Sequence, residues 1–124
     1  MWTEHGDLIA DADAMLIAEV EGLTPGRALD IGCGVGGNAV WLAERGWQVT
    51  ATDFADVAIE KCKQLAARRR VQVEFVVADA TTFQPDGQYD FISSFYIELP
   101  PDQRAKMLSI AAGALAPGGT LLFR

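Results

Sequence analysis

Residues 29–38 read Leu29-Asp30-Ile31-Gly32-Cys33-Gly34-Val35-Gly36-Gly37-Asn38. Glycines between a strand and a helix let the backbone approach a ligand without Cβ clashes. The helix that follows presents N–H groups with no intrahelical partner. Such a turn, taken alone, serves equally well to pack a helix on a strand. Asp53 narrows the choice. It stands 21 positions after Gly32, close to the ~20 at which a carboxylate accepts both hydroxyls of a ribose, although an isolated Asp there also suits a turn. Asp30 ends a buried strand just before Gly32, where it would repel a pyrophosphate and attract an ammonium or sulfonium group. Asp79-Ala80 brings another acid to the same sheet edge. Its carboxylate could accept from an adenine amino group, with Phe54 packed near the ring.

The elements that must carry these residues follow from periodicity. Residues 7–22 have helical apolar spacing and stop at Gly22. Strands are expected at 27–31, 47–52, 71–77, 89–94 and 120–123. Helices are expected at 38–45, closed by Gly46 as a left-handed cap, from an Asp56 cap to about 69, and from Pro101 to 115. The stripe Val57, Ile59, Cys62, Leu65 and Ala66 should face inward in the second of these. Ala116-Pro117-Gly118-Gly119 reads as a tight turn. This alternation predicts an α/β domain with a Rossmann-like, doubly wound, mainly parallel five-stranded sheet and right-handed crossovers. Residues 1–24 form an N-terminal helical segment and 25–124 the cofactor-binding core of one domain.

Composition bounds the partners. The chain has 124 residues, half of them hydrophobic, so it can build its own core. Ten Lys and Arg against 17 Asp and Glu give a net charge of −7, which disfavours a dedicated nucleic-acid binder. Arg68-Arg69-Arg70 suits the negative end of a helix. Cys33 and Cys62 make no disulfide framework, and no apolar run approaches the ~20 residues of a membrane helix. No signal segment and no metal-ligand spacing stand out. A soluble cytoplasmic protein with reduced thiols is expected.

The block from Leu29 to Gly36 resembles the nucleotide-binding motif of class I S-adenosylmethionine-dependent methyltransferases. Asp53, Asp79-Ala80, Tyr89-Asp90-Phe91-Ile92 and Leu115-Ala116-Pro117-Gly118-Gly119-Thr120-Leu121 follow in the family's order, so the resemblance covers nearly all of 27–124. Gly34 to Ala43 is most similar to small-molecule members of the tellurite-resistance kind. The resemblance implies S-adenosylmethionine as cofactor and in-line methyl transfer to a small molecule. It implies that Gly32, Gly34 and Gly36 bring backbone to the methionine and ribose, with Cys33 and Asn38 in the same turn. Asp30 would hold the methionine ammonium through water, Asp53 the ribose, and Asp79 and Ala80 the adenine. Ser94 and Phe95 would line the methionine end and face the acceptor, with Tyr96 as a substrate contact. No residue stands out as a general base. Tyr96 and Glu98 lie in the right loop, and His5 near the N-terminus is the single histidine. Ser94-Phe95-Tyr96-Ile97-Glu98-Leu99-Pro100-Pro101 lacks the acidic-or-amide, Pro, Pro, aromatic pattern of base-amine methylation, which points away from DNA.

The family fold has seven strands and this sequence supplies five. Thr120 to Phe123 is then an apolar edge strand, expected to pair with a second copy in a homo-oligomer. Donor binding is accordingly better supported than turnover. Two alternatives remain open at this point: a non-catalytic donor-binding or self-assembling module, and a nicotinamide-dependent oxidoreductase, against which Asp30 and Asp79 argue.

Overall fold

Five short segments assemble into one sheet in the computed structural model, which describes residues 12–34, 36–95 and 97–124. The strands are β1 (Arg27–Ile31), β2 (Gln48–Asp53), β3 (Glu74–Val77), β4 (Tyr89–Ser94) and β5 (Leu115–Phe123). Their order is β3-β2-β1-β4-β5, and every pairing is parallel. Neighbouring β1 and β4 leave in opposite directions across the sheet, β1 toward β2 and β4 toward β5. That reversal is the switch point at which open α/β sheets bind ligands. The expected five-stranded doubly wound architecture is therefore the one observed.

Strand alternation divides the core. Ala28 of β1 and Phe91 of β4 face a cluster that includes Leu16 of α1 (Ala14–Val20), Leu42 of α2 (Gly37–Glu44) and Ile59 and Cys62 of α3 (Asp56–Arg69). Leu29, Ile31 and Ile92 face the opposite way, toward Met107 and Ala111 of α4 (Pro101–Gly113). Val40 and Leu65 join α2 to α3. Both faces of the central strands are thus covered, as the near-continuous burial of β1, β2 and β4 requires.

Several boundaries differ from the sequence reading. Asp56 is the first residue of α3, not its cap; the cap is Ala55, whose N–H is taken by Asp53 Oδ1 at 3.0 Å. An acid in the first helical turn still favours the helix dipole. Val57 is exposed, because it shares a helical row with Glu60 and Lys61 instead of with Ile59 and Cys62. Val71 to Val73 lie outside β3. β5 pairs with β4 already at Leu115, and a register shift between Tyr89 and Phe91 accommodates the glycine turn inside the strand. Gly118 adopts φ +77 there. α1 is described from Ala14; the earlier part of the expected helix, together with His5, lies outside the described residues.

Residues 78–88 connect β3 to β4 without a helix and place Ala80 and Phe83 against the α4-side core. Asp79, at the start of this connection, lines the same cleft as Gly32 and Gly34.

Candidate functional site

The carboxyl ends of β1 to β4 and the first turn of α4 enclose a cleft of about 790 Å³. That lies within the range of roughly 300–1,000 Å³ usual for small-molecule sites. β1 enters it through the glycine turn. The N–H groups of Gly32 and Cys33 both donate to the Thr52 carbonyl at 2.8 Å, which fixes the turn to β2. Gly32, Gly34 and Gly36 have φ of +73, +57 and +88, a region that side chains disfavour. A Cβ at Gly32 would strike the Ile97 side chain, and one at Gly36 would lie 2.9 Å from Cys62 Sγ. Gly34 has open space where a Cβ would stand, so its bare backbone faces the cleft.

Two cysteines tie the turn to α3. Cys62 Sγ donates to the Gly34 carbonyl at 3.0 Å and lies 3.3 Å from Cys33 Sγ. Both are free thiols. The contact with Cys62 and then burial push the Cys33 pKa up, so the thiol stays protonated. Their observed role is packing and orientation of the turn.

The acids occupy three strand tips with different environments. Asp53 Oδ2 accepts from the Gly34 N–H at 3.0 Å, while Oδ1 accepts from Ala55. Each carboxylate oxygen keeps a further lone pair for a ligand hydroxyl. Asp79 Oδ1 accepts from both the backbone N–H and the hydroxyl of Thr81 at 2.8 and 2.7 Å. These bonds, the backbone one foremost, lower its pKa below the ordinary 3.8. Asp30 is 2% exposed and does not reach the cleft wall. Its Oδ1 accepts from Ser93 Oγ at 3.3 Å, and Oδ2 has no hydrogen-bond partner. Burial raises its pKa from 3.8 to about 7; the Ser93 bond opposes this and the charge of Asp53 adds to it.

Of the residues singled out from sequence, the cleft brings together Gly32, Cys33, Gly34, Asn38, Asp53, Phe54, Asp79, Ala80, Phe95 and Glu98. Phe54 is 81% exposed, an apolar ring left at the rim. Asn38 Oδ1 accepts from the Asp13 N–H at 2.7 Å and so ties α2 to the start of α1. The structure does not bring Ser94 to the cleft. Strand alternation turns it to the α4 face, where its hydroxyl lies 3.8 Å from Met107 Sδ. Gly36 serves close packing on Cys62 and is not on the wall. Tyr96 lies outside the described residues. Asp13, Ile97, Leu99 and Gln103 also line the cleft and were not singled out from sequence. Asp13 is brought there by its bond to Asn38 of α2, Ile97 and Leu99 by the loop that follows β4, and Gln103 by the first turn of α4. Among the described residues no group of three or more His, Cys, Asp or Glu is placed to hold a metal, and no helix is long and apolar enough to cross a membrane.

The parallel sheet, its switch point and a glycine turn flanked by acids define a nucleotide-type site in an α/β domain. Residues 28–119 match the family described as Methyltransferase domain, and the chain belongs to it. It is 32% identical over 94% of its length to ribosomal RNA small subunit methyltransferase C of Alcanivorax borkumensis, of which it spans 38%. It is 35% identical over 82% of its length to 2-heptyl-1-hydroxyquinolin-4(1H)-one methyltransferase of Mycobacteroides abscessus, of which it spans 47%. The chain therefore spans less than half of these relatives. TehB from Haemophilus influenzae superposes with a TM-score of 0.83 at 21% identity, covering 90% of this chain and 40% of that one. At that identity the likeness is one of fold.

Proposed function

We propose that the cleft binds S-adenosylmethionine and that the chain transfers its methyl group to a small-molecule acceptor. The reading is carried by the convergence of the bare glycine turn, Asp53 and Asp79 on one cleft, with the partnerless oxygen of Asp30 buried behind them. The residues fit the cofactor. Asp53, already oriented by two backbone N–H groups, offers lone pairs to the ribose hydroxyls. Asp79, Ala80 and Phe54 receive the adenine, and Asp30 balances the ammonium through water. The N-terminus of α2, at Gly37 and Asn38, favours the carboxylate of the methionine portion.

When bound, the cofactor supplies an electrophilic methyl on sulfur. The protein's part would be to hold an acceptor against that methyl, with Phe95, Ile97 and Leu99 as apolar wall. A base is required only for an acceptor that keeps its proton at neutral pH. The family match and the hydroxyquinolinone methyltransferase relative support a small acceptor. The acids lining the cleft disfavour a nucleic-acid backbone.

The test is transfer of a radiolabelled methyl from S-adenosylmethionine to a panel of small phenols, amines and carboxylic acids. Labelling above the Asp53→Ala background is expected. Binding of the donor without transfer to any acceptor would favour a non-catalytic module. Binding of NADH in place of the donor would restore the oxidoreductase alternative.

The same reading extends to assembly. β5, an edge strand among the described residues, pairs with the same strand of a second copy about a two-fold axis, a homodimer by strand addition. Sedimentation as a clean monomer at tens of micromolar would contradict the dimer.

A further inference from the structure

The two ends of the cleft differ chemically. In the sheet, β1 separates the tips of β2 and β3 from the tip of β4. Asp53, Phe54, Asp79 and Ala80 hold the β2–β3 end. The β4 end is built from Phe95, Ile97 and Leu99, all apolar, with Glu98 and Gln103 as its polar groups. Glu98 is exposed and has no hydrogen bond or ion pair among the described residues.

No lysine, arginine or histidine lines the cleft among the described residues. Outside the described residues, positions 1–11 hold one basic side chain, His5, and no lysine or arginine, and Val35 and Tyr96 are uncharged. Three of the basic side chains are engaged elsewhere: Arg27 stacks on Tyr89 at the far end of β1, Arg45 on Trp41, and Arg69 pairs with Glu44; Arg104 and Lys106, on α4, are not among the residues that line the cleft. Among the described residues, a carboxylate entering the β4 end would meet Glu98 as its charged side chain and the Gln103 amide as the other polar group, in a recess that focuses the field of the acid. It would also find no fork of donors to pair with. An ammonium on an apolar body would meet the opposite conditions.

We propose that Glu98 is a specificity-determining residue that selects acceptors with an apolar body and a positive charge, and that the β4 end of the cleft discriminates against carboxylates. This rests on the methyl-donor reading of the β2–β3 end.

Three phenols of like shape test it: tyramine (cation), para-ethylphenol (neutral) and para-hydroxyphenylacetate (anion). Each is titrated against the protein saturated with S-adenosylhomocysteine, at low ionic strength, by ligand-observed NMR. Tyramine is expected to bind about tenfold or more tightly than the anion, a difference of about 1.4 kcal/mol. Glu98→Gln, at an exposed position, should cut that ratio to about a third or less, and Glu98→Lys should invert it. A ratio near one, a preference for the anion, no binding by any of the three, or a ratio unmoved by Glu98→Gln overturns the proposal. Calorimetry with S-adenosylhomocysteine on the same samples separates the two claims. Absent heat removes the donor reading, whereas normal heat with no preference for the cation removes the role of Glu98 alone.

Discussion

Asp30→Asn should stabilise the protein at high pH while weakening its hold on the methyl donor. The native carboxyl titrates near pH 7 because burial opposes its charge, whereas an unfolded Asp titrates at 3.8. The difference of roughly three units corresponds to about 4 kcal/mol at pH well above 7. A group with a raised folded pKa leaves stability intact below its unfolded pKa. The stability is lost as pH rises toward the folded value, since the unfolded chain releases the proton first. Between pH 5 and pH 8 this one residue should therefore cost wild type about 2.5 kcal/mol. The asparagine variant lacks that component, and all other titrations cancel in the comparison. Urea unfolding of both proteins at the two pH values measures it. The two proteins losing equal stability between pH 5 and pH 8 would refute the reasoning, because Asp30 would then titrate alike in both states.

The proposed function gives the same acid, buried off the cleft wall, a part in ligand binding through water. Its carboxylate must ionise to balance an ammonium, so donor affinity should fall about tenfold per pH unit below pH 7; a flat profile between pH 5.5 and 8 would remove Asp30 from the site. Asp53→Ala should weaken donor binding by ~1–3 kcal/mol through lost hydrogen bonds to the ribose, measured by calorimetry, and unchanged affinity would exclude that role. Gly36→Ala should destabilise by ~1–3 kcal/mol through left-handed backbone and overpacking, since its Cβ would lie 2.9 Å from Cys62 Sγ and 3.2 Å from Cys62 Cα. An unshifted melting temperature would show that α3 yields freely.

Much of the frame was legible in the residues. β1 and β4 span the expected 27–31 and 89–94, and Gly46 follows α2 with φ +91 as a left-handed cap should. Asp53 at the end of β2 and Asp79 after β3 could be placed because parallel strands bring their carboxyl ends to one edge, whereas Asp30, inside β1, is buried off the cleft wall. Elements fixed by tertiary contact were less legible. Ser93 meets Asp30 only because β1 and β4 pair in that register. The adjacent Ser94 was chosen for the cleft, yet the alternation of the strand sends it to Met107. Cys33 and Cys62 are 29 positions apart, and no local pattern shows that α3 lays one sulfur against the other. The start of β5 was missed because a turn signal at Gly118-Gly119 lies inside a strand that absorbs it as a register shift.

The account depends on an adenosyl ligand occupying the cleft above the glycine turn. Calorimetric titration of the protein with S-adenosylhomocysteine at pH 8 tests this most directly. One site per chain is predicted, with heat that Asp53→Ala diminishes. No heat, together with no shift in the amide resonances of Gly32, Gly34 and Ala80, would contradict it.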